Sequence, residues 1–224
     1  MHIILVRHGE PEWSPGGRVS NDPGLTPLGR AQADRLVDRR WGQVDQLWVS
    51  PYTRSRETVA PLEQSFGMQA SVEAWMAEIG PAEEWEGSPY DEVAEELKKA
   101  HAFGVEELWD GLPGAESFRD FHHRVTSGLR EALGRFGVEP SREHPGLWDG
   151  DADVTLVLVA HGGTNAVVTG HLLGVEPTPW EWDRFDSAHT SIVSLVTRPV
   201  AQRSAFGLMG FGDVTHLDTD MVTR

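Results

Sequence analysis

Two histidines and two arginines stand where they could act on a bound anion. Arg7 and His8 are neighbours directly after the apolar run Ile3-Ile4-Leu5-Val6, Arg54 closes SPYTR (50–54), and His161 with Gly162 and Gly163 follows VTLVLVA (154–160). A guanidinium offers a fixed fork of donors to phosphoryl oxygens, and an imidazole titrates low enough to be a neutral nucleophile near pH 7. Glycines beside the histidines allow close backbone approach to such a group. Two imidazoles and two guanidiniums around one small cleft therefore predict a phosphate site. The chain has no cysteine, which removes thiolate nucleophiles, disulfides and Cys-ligated zinc and leaves oxygen, nitrogen and carboxylate groups to react.

These residues become a site only if the elements around them bring them together. Residues 3–6 read as a short buried strand, with Arg7-His8-Gly9 as the loop at its C-terminal end. Thr26-Pro27 reads as an N-cap followed by proline at the first helical position, opening a helix through about Arg40. The pattern recurs with a strand at 44–50 and a helix over 52–66, in which Pro61 predicts a kink or break, and again with a strand at 154–160 and a helix through Leu173. Such alternation predicts an α/β three-layer sandwich: a mostly parallel central sheet flanked by helices, with all three loops at strand C-termini and so on one edge. Between about 76 and 153 the rhythm gives way to two helical patterns, 89–103 and 115–136, and then to the polar, Pro/Gly-punctuated stretch GVEPSREHPGLWDGDAD (137–153). This predicts a small helical cap inserted in a single domain spanning 1–224, plus a surface loop. Residues 190–198 and 203–211 read as strands.

In this order the segments resemble the histidine phosphatase superfamily, the phosphoglycerate-mutase-like group. RHGE (7–10) is similar to the family's nucleophile motif, GRVSNDPGLTPLGRAQA (17–33) to the turn and helix after it, and SPYTRSRETV (50–59) to its Ser, Arg and Thr pattern. AEIGPAEEWEG (77–87) resembles the acid-bearing segment, PGAESF (113–118) the start of a cap helix, VAHGG (159–163) the second histidine, and DVTHL (213–217) the tail. The resemblance implies that His8 attacks phosphorus and carries the phosphoryl group, that Arg7, Arg54 and His161 hold its oxygens, and that Glu78 protonates the leaving oxygen and then activates water. Glu83 and Glu84 are the alternatives for that acid. Asn21, Gly162 and the Gly9-Glu10 loop are expected as further substrate contacts. No metal and no cofactor are implied. His122 and His123 read as ordinary polar residues of a cap helix, and His189 and His216 as structural hydrogen-bonding groups.

Departures from the family pattern favour a phosphatase over a mutase. Pro11 and Ser14 replace the family's usual Thr or Ser and Asn. No Lys or Arg occurs from Glu57 through Leu97, where the mutases carry basic residues for a second anionic group. The expected activity is hydrolysis of a small phosphorylated metabolite; the alternatives are a cofactor-dependent phosphoglycerate mutase and a weakly active binding or scaffold protein. The formal charge of −16 argues against nucleic acid and anionic membranes as partners. With no bilayer-length apolar run and no signal-peptide layout, the sequence predicts a soluble, cytoplasmic protein; a homodimer is compatible with it. Eight acids and no bases from Glu78 through Glu96 predict either a solvated acidic face, with Trp75, Trp85 and Trp109 in the core, or an acidic rim over the cleft that would favour neutral monophosphate esters over doubly anionic ones.

Overall fold

The computed structural model describes residues 1–224 except for the side chain of residue 101. The chain runs β1 (His2–Arg7), α1 (Pro27–Arg35), β2 (Gln46–Val49), α2 (Thr53–Phe66), β3 (Ser71–Val72), α3 (Tyr90–Lys99), α4 (Val105–Asp110) and α5 (Phe118–Gly134). It continues through β4 (Glu139–Pro140), β5 (Trp148–Asp149), β6 (Thr155–Ala160), α6 (Gly162–Leu172), α7 (Glu181–Arg184), β7 (Ile192–Val200) and β8 (Arg203–Asp213).

Alternation along β1 explains the layers. Ile3 and Leu5 face a core shared with Phe121, Val125 and Leu129 of α5 and Val167, Val168 and Leu172 of α6. Ile4 and Val6 face the opposite core, with Leu47 and Val49 of β2 and Val59 and Leu62 of α2. Side chains of a strand point alternately to the two faces, so one apolar run anchors helices on both sides. Thr26 Oγ1 accepts the Gly29 amide at 2.9 Å to cap α1, with Pro27 in its first turn. That helix is shorter than expected, ending at Arg35 before a 3₁₀ turn over Leu36–Asp38. Pro61 does not break α2, which continues to Phe66; burial of Val59 and Leu62 outweighs the local cost of proline.

The eight strands form one sheet in the order β3-β2-β6-β1-β7-β8-β5-β4. Only the block β3-β2-β6-β1 is parallel; β7, β8, β5 and β4 add antiparallel pairings. The sheet is therefore mixed, and the expectation of a mostly parallel one is corrected. Local connection explains the difference: β7 and β8 are joined by Ala201 and Gln202, at φ 46° and 65°, and a two-residue turn of this kind permits only an antiparallel return. The stretch 137–153 is likewise more than a surface loop, since β4 and β5 pair with each other and β5 with β8. Its Trp148 is buried in the core. α5 packs against the sheet, whereas α3 and α4 stand over the site described below. Among the described residues no helix is long and apolar enough to cross a membrane.

Candidate active site

The parallel block brings the three loops to one edge. Arg7 pairs with Ala160 across β1 and β6, and Val49 with Val159 across β2 and β6. The His8 amide donates to Ala160 O at 2.9 Å and the Ser50 amide to Val159 O at 3.0 Å. His8, Ser50 and His161 thus leave neighbouring strands at the same level. The two imidazole centroids lie 5.1 Å apart.

His8 is only 2% exposed. Its Nδ1 lies 2.7 Å from Gly9 O, an acceptor that fixes the proton on Nδ1 and leaves Nε2 with its lone pair. Burial, reinforced by the charge of Arg54, holds the His8 pKa well below the ordinary imidazole value. It is a neutral, oriented imidazole at neutral pH. Ser50 Oγ accepts from the Tyr52 amide at 3.4 Å and shares a hydrogen bond of 2.6 Å with His161 Nε2, whose direction follows the ring tautomer. Burial and the nearby Arg54, His8 and Arg7 hold His161 neutral as well.

The guanidiniums are held on one side and unpartnered on the other. Arg7 donates to Ser187 O and to His189 Nε2 at 3.2 Å, while Arg54 lies 4.9 Å from the Trp13 ring centroid and 4.7 Å from that of Tyr52. Planar stacking of this kind fixes the fork without using its donors. Asp22, the nearest carboxylate recorded for Arg54, is 3.9 Å away and mainly serves α2, accepting from the Thr53 amide and hydroxyl at 2.8 Å each. Burial lowers the pKa of both arginines and the charge of Glu78 opposes it. Arg7 Nε, Arg54 Nε and Nη1, and His161 Nδ1 are buried without a hydrogen-bond partner in the protein. Buried polar groups of this type are satisfied in almost all proteins, so three guanidinium donors and an imidazole nitrogen around one neutral histidine fit an anion.

Glu78 reaches this pocket from the segment after Met76. Its Oε2 accepts the Gly163 amide at 2.9 Å and its Oε1 the Ile79 amide at 3.1 Å, at the first turn of α6. The segment is held by Arg124 of α5, which donates to Trp75 O and Ala77 O at 3.1 Å each, to Glu78 O at 3.4 Å, and to Glu116 at 2.9 and 2.7 Å. Glu116 in turn accepts the Gly80 amide at 2.9 Å. Arg7, His8, Arg54, Glu78, Gly162 and Gly163 line a cavity of about 410 Å³.

Other expected residues fall elsewhere. Neither Glu83 nor Glu84 lines this cavity or the one beside it. Asn21 lines the adjoining cavity and donates to Ala82 O at 3.2 Å. The Gly9 and Glu10 amides are taken up by Thr58 Oγ1 at 2.9 Å and Gln32 Oε1 at 2.8 Å, so neither offers a free donor. His189 bonds Thr223 Oγ1 at 2.8 Å and Arg7, a structural arrangement, and stands 5.7 Å from His8 between ring centroids. His216 lies 3.2 Å from Thr190 Oγ1. Thr190 is buried at φ 54°, a costly conformation for a β-branched residue, and its amide donates to His8 O at 3.2 Å. Sequence reasoning assigned no role to Trp13, Tyr52 or Ser187, of which only Tyr52, inside SPYTR, carried a signal; Arg124, a candidate pocket cation by sequence, lines neither cavity and instead holds the Glu78 segment. Among the described residues no group of three or more His, Cys, Asp or Glu side chains could hold a metal ion.

Known proteins resemble this chain over most of its length. Phosphoserine phosphatase 1 of Hydrogenobacter thermophilus is 28% identical over 88% of this chain and 87% of its own. A probable phosphoglycerate mutase of Salmonella choleraesuis is 26% identical over 97% and 95%. Among solved structures, Bacillus stearothermophilus YhfR superposes with a TM-score of 0.74 at 22% identity, covering 96% of this chain and 98% of that one. The sequence profile of the histidine phosphatase superfamily (branch 1) matches residues 3–204, and the chain belongs to that family.

Proposed function

We propose that the protein is a metal-independent phosphomonoesterase that hydrolyses a small phosphorylated metabolite through a phosphohistidine on His8. The observation that carries this reading is the neutral His8, with Nε2 free, among four unpartnered buried nitrogens of Arg7, Arg54 and His161. Its Nε2 attacks phosphorus while the ester P–O bond breaks, and the three partners receive the charge that develops on the phosphoryl oxygens. Glu78 gives its proton to the leaving oxygen, then takes one from the water that attacks the phosphohistidine. The P–N bond breaks, inorganic phosphate leaves, and His8 and Glu78 return to their starting states. Residues 1–224 act as a single domain, and the insertion over about 76–153 supplies the cap. The phosphoserine phosphatase relative supports hydrolysis. A mutase needs a cation for the glycerate carboxylate, and among the described residues none but Arg54 and Arg7 of the site itself, and Arg224 at its rim, lines either cavity.

Incubation with p-nitrophenyl phosphate in excess chelator tests the proposal. Phosphate release between pH 5 and 8 is expected, with an acid-labile, base-stable phosphoenzyme that is absent from His8→Ala. No release and no phosphoenzyme would overturn it, and rapid interconversion of phosphoglycerates after priming with a bisphosphate would favour the mutase.

A further inference from the structure

A second cavity of about 550 Å³ continues from the phosphate pocket, and the two share Trp13, Arg54, Glu78, Ile79 and Trp182. Past these shared residues, the chamber gives the organic part of an ester whose phosphate is held at His8 a place to lie. Its walls are built by the cap: Trp85, Tyr90, Val93, Leu97, Phe103 and Leu108 all line it.

Charge is nearly absent from these walls. Among the described residues Arg54, already directed to the phosphate, is the only basic side chain lining them, and the acids are Glu78 of the site and Glu116, which is tied up by Arg124. Other cations of the cap and its neighbourhood are engaged outside the chamber. Arg18 donates to Gly87 O at 2.6 Å, Arg119 pairs with Glu106 and Asp110, and Lys98 and Lys99 pair with Glu95 and Glu96. The acidic face of α3 is turned to solvent at Asp91, Glu92, Glu95 and Glu96, while Val93 of the same helix is buried and Leu97, half-exposed, lines the chamber. The choice left open by sequence is thus resolved towards a solvated acidic face. What overhangs the cleft is apolar rather than anionic.

Resting on the phosphatase reading, we infer that the substrate is a phosphomonoester of a bulky apolar alcohol, alkyl or aryl. A carboxylated ester would bring its charge between Glu78 and Glu116 with no cation to receive it. A sugar or nucleoside phosphate would bury several hydroxyls against walls whose neutral polar side chains are few, chiefly Ser20, Asn21 and Tyr90, and each unsatisfied hydroxyl weakens binding. An apolar group loses nothing there and gains about fourfold for every methylene it removes from water.

Comparing octyl with ethyl phosphate isolates this effect, because both release a primary alcohol of similar acidity. The expected kcat/KM ratio is at least tenfold in favour of octyl phosphate, with glucose 6-phosphate, phosphoserine and 3-phosphoglycerate all below it. Leu97→Arg, a change at a half-exposed helix position, is expected to lower the octyl-to-ethyl ratio severalfold. If p-nitrophenyl phosphate is hydrolysed but octyl phosphate shows no advantage, or if phosphoserine, 3-phosphoglycerate or glucose 6-phosphate is preferred, the chamber assignment is wrong and the phosphatase reading stands. Failure of every ester, with no phosphoenzyme, overturns both.

Discussion

The Gly163 amide donates to Glu78 Oε2 at 2.9 Å, and a Cβ added to Gly163 would lie 2.6 Å from Glu78 Oε1. Two segments 85 positions apart in sequence therefore meet with room for hydrogen only. Gly163→Ala is expected to push the carboxylate out of place and to lower kcat by ~10²-fold for alkyl phosphates, the scale of a misplacement near 1 Å. Phosphoenzyme formation from p-nitrophenyl phosphate, whose leaving group needs no proton, is expected to persist. Single-turnover measurements on the two ester types check both parts.

Glu78→Gln keeps the shape and removes the proton. A loss of roughly 10²–10⁴-fold in turnover of alkyl esters is expected, with the first step on aryl esters spared. An equal loss of the first step for good and poor leaving groups would count against Glu78 as the acid.

His8→Ala is expected to abolish turnover with little effect on folding. The ring belongs to neither core cluster and makes one side-chain hydrogen bond, to Gly9 O, so the stability change should stay near 1 kcal/mol. Thermal unfolding beside an activity assay reads both quantities, and residual activity within tenfold of wild type would remove the nucleophile assignment.

Arg124 acts as a positioning residue, through the backbone that carries Glu78. Arg124→Ala leaves the half-buried Glu116 carboxylate without its cation and three carbonyls without their donor. A stability loss of about 2–4 kcal/mol is expected, together with a fall in kcat larger than any change in KM. Arg124→Lys should recover stability only in part, because an ammonium cannot span Glu116 and the carbonyls as a planar fork does. If KM alone changes, the segment does not control the acid.

Acid sensitivity follows from the buried imidazoles. Burial lowers the pKa of His171 to about 4, and burial with the charge of Arg7 lowers that of His189 to about 3. Each binds its proton more readily in the unfolded chain, near pH 6.5, than in the folded one. The stabilisation is therefore complete above about pH 6.5 and is lost as pH falls towards the folded values. For His171 the difference is on the order of 3 kcal/mol. Urea unfolding of wild type and His171→Gln between pH 7 and 4.5 is expected to show a shallower acid loss in the variant. Parallel pH curves would refute the assignment.

What was legible in sequence was local. Apolar runs of strand length ending in Arg7-His8-Gly9, Ser50 and His161-Gly162-Gly163 announce both the strand and the loop at its C-terminal end, because alternation and glycine act within a few residues. Parallel pairing of β1, β6 and β2 then brings those loops to one edge, and the family resemblance carried the same order. The tail strands were also legible as strands, but their direction was not: a two-residue connection at Ala201-Gln202 sets it, and the sheet becomes mixed.

Tertiary structure decided the rest, because it depends on contacts between distant segments. Glu78, Glu83 and Glu84 are the same side chain in one acidic stretch, and only Glu78 meets the Gly163 amide. The stacking of Arg54 between Trp13 and Tyr52 needs two loops about 40 positions apart, and the holding of the Glu78 segment needs α5. The cap shows the limit most plainly. Counting charges from Glu78 to Glu96 describes a strongly acidic stretch, yet folding turns every one of those carboxylates except Glu78 to water and buries Val93 between them, since burying unpaired charge costs far more than burying a valine.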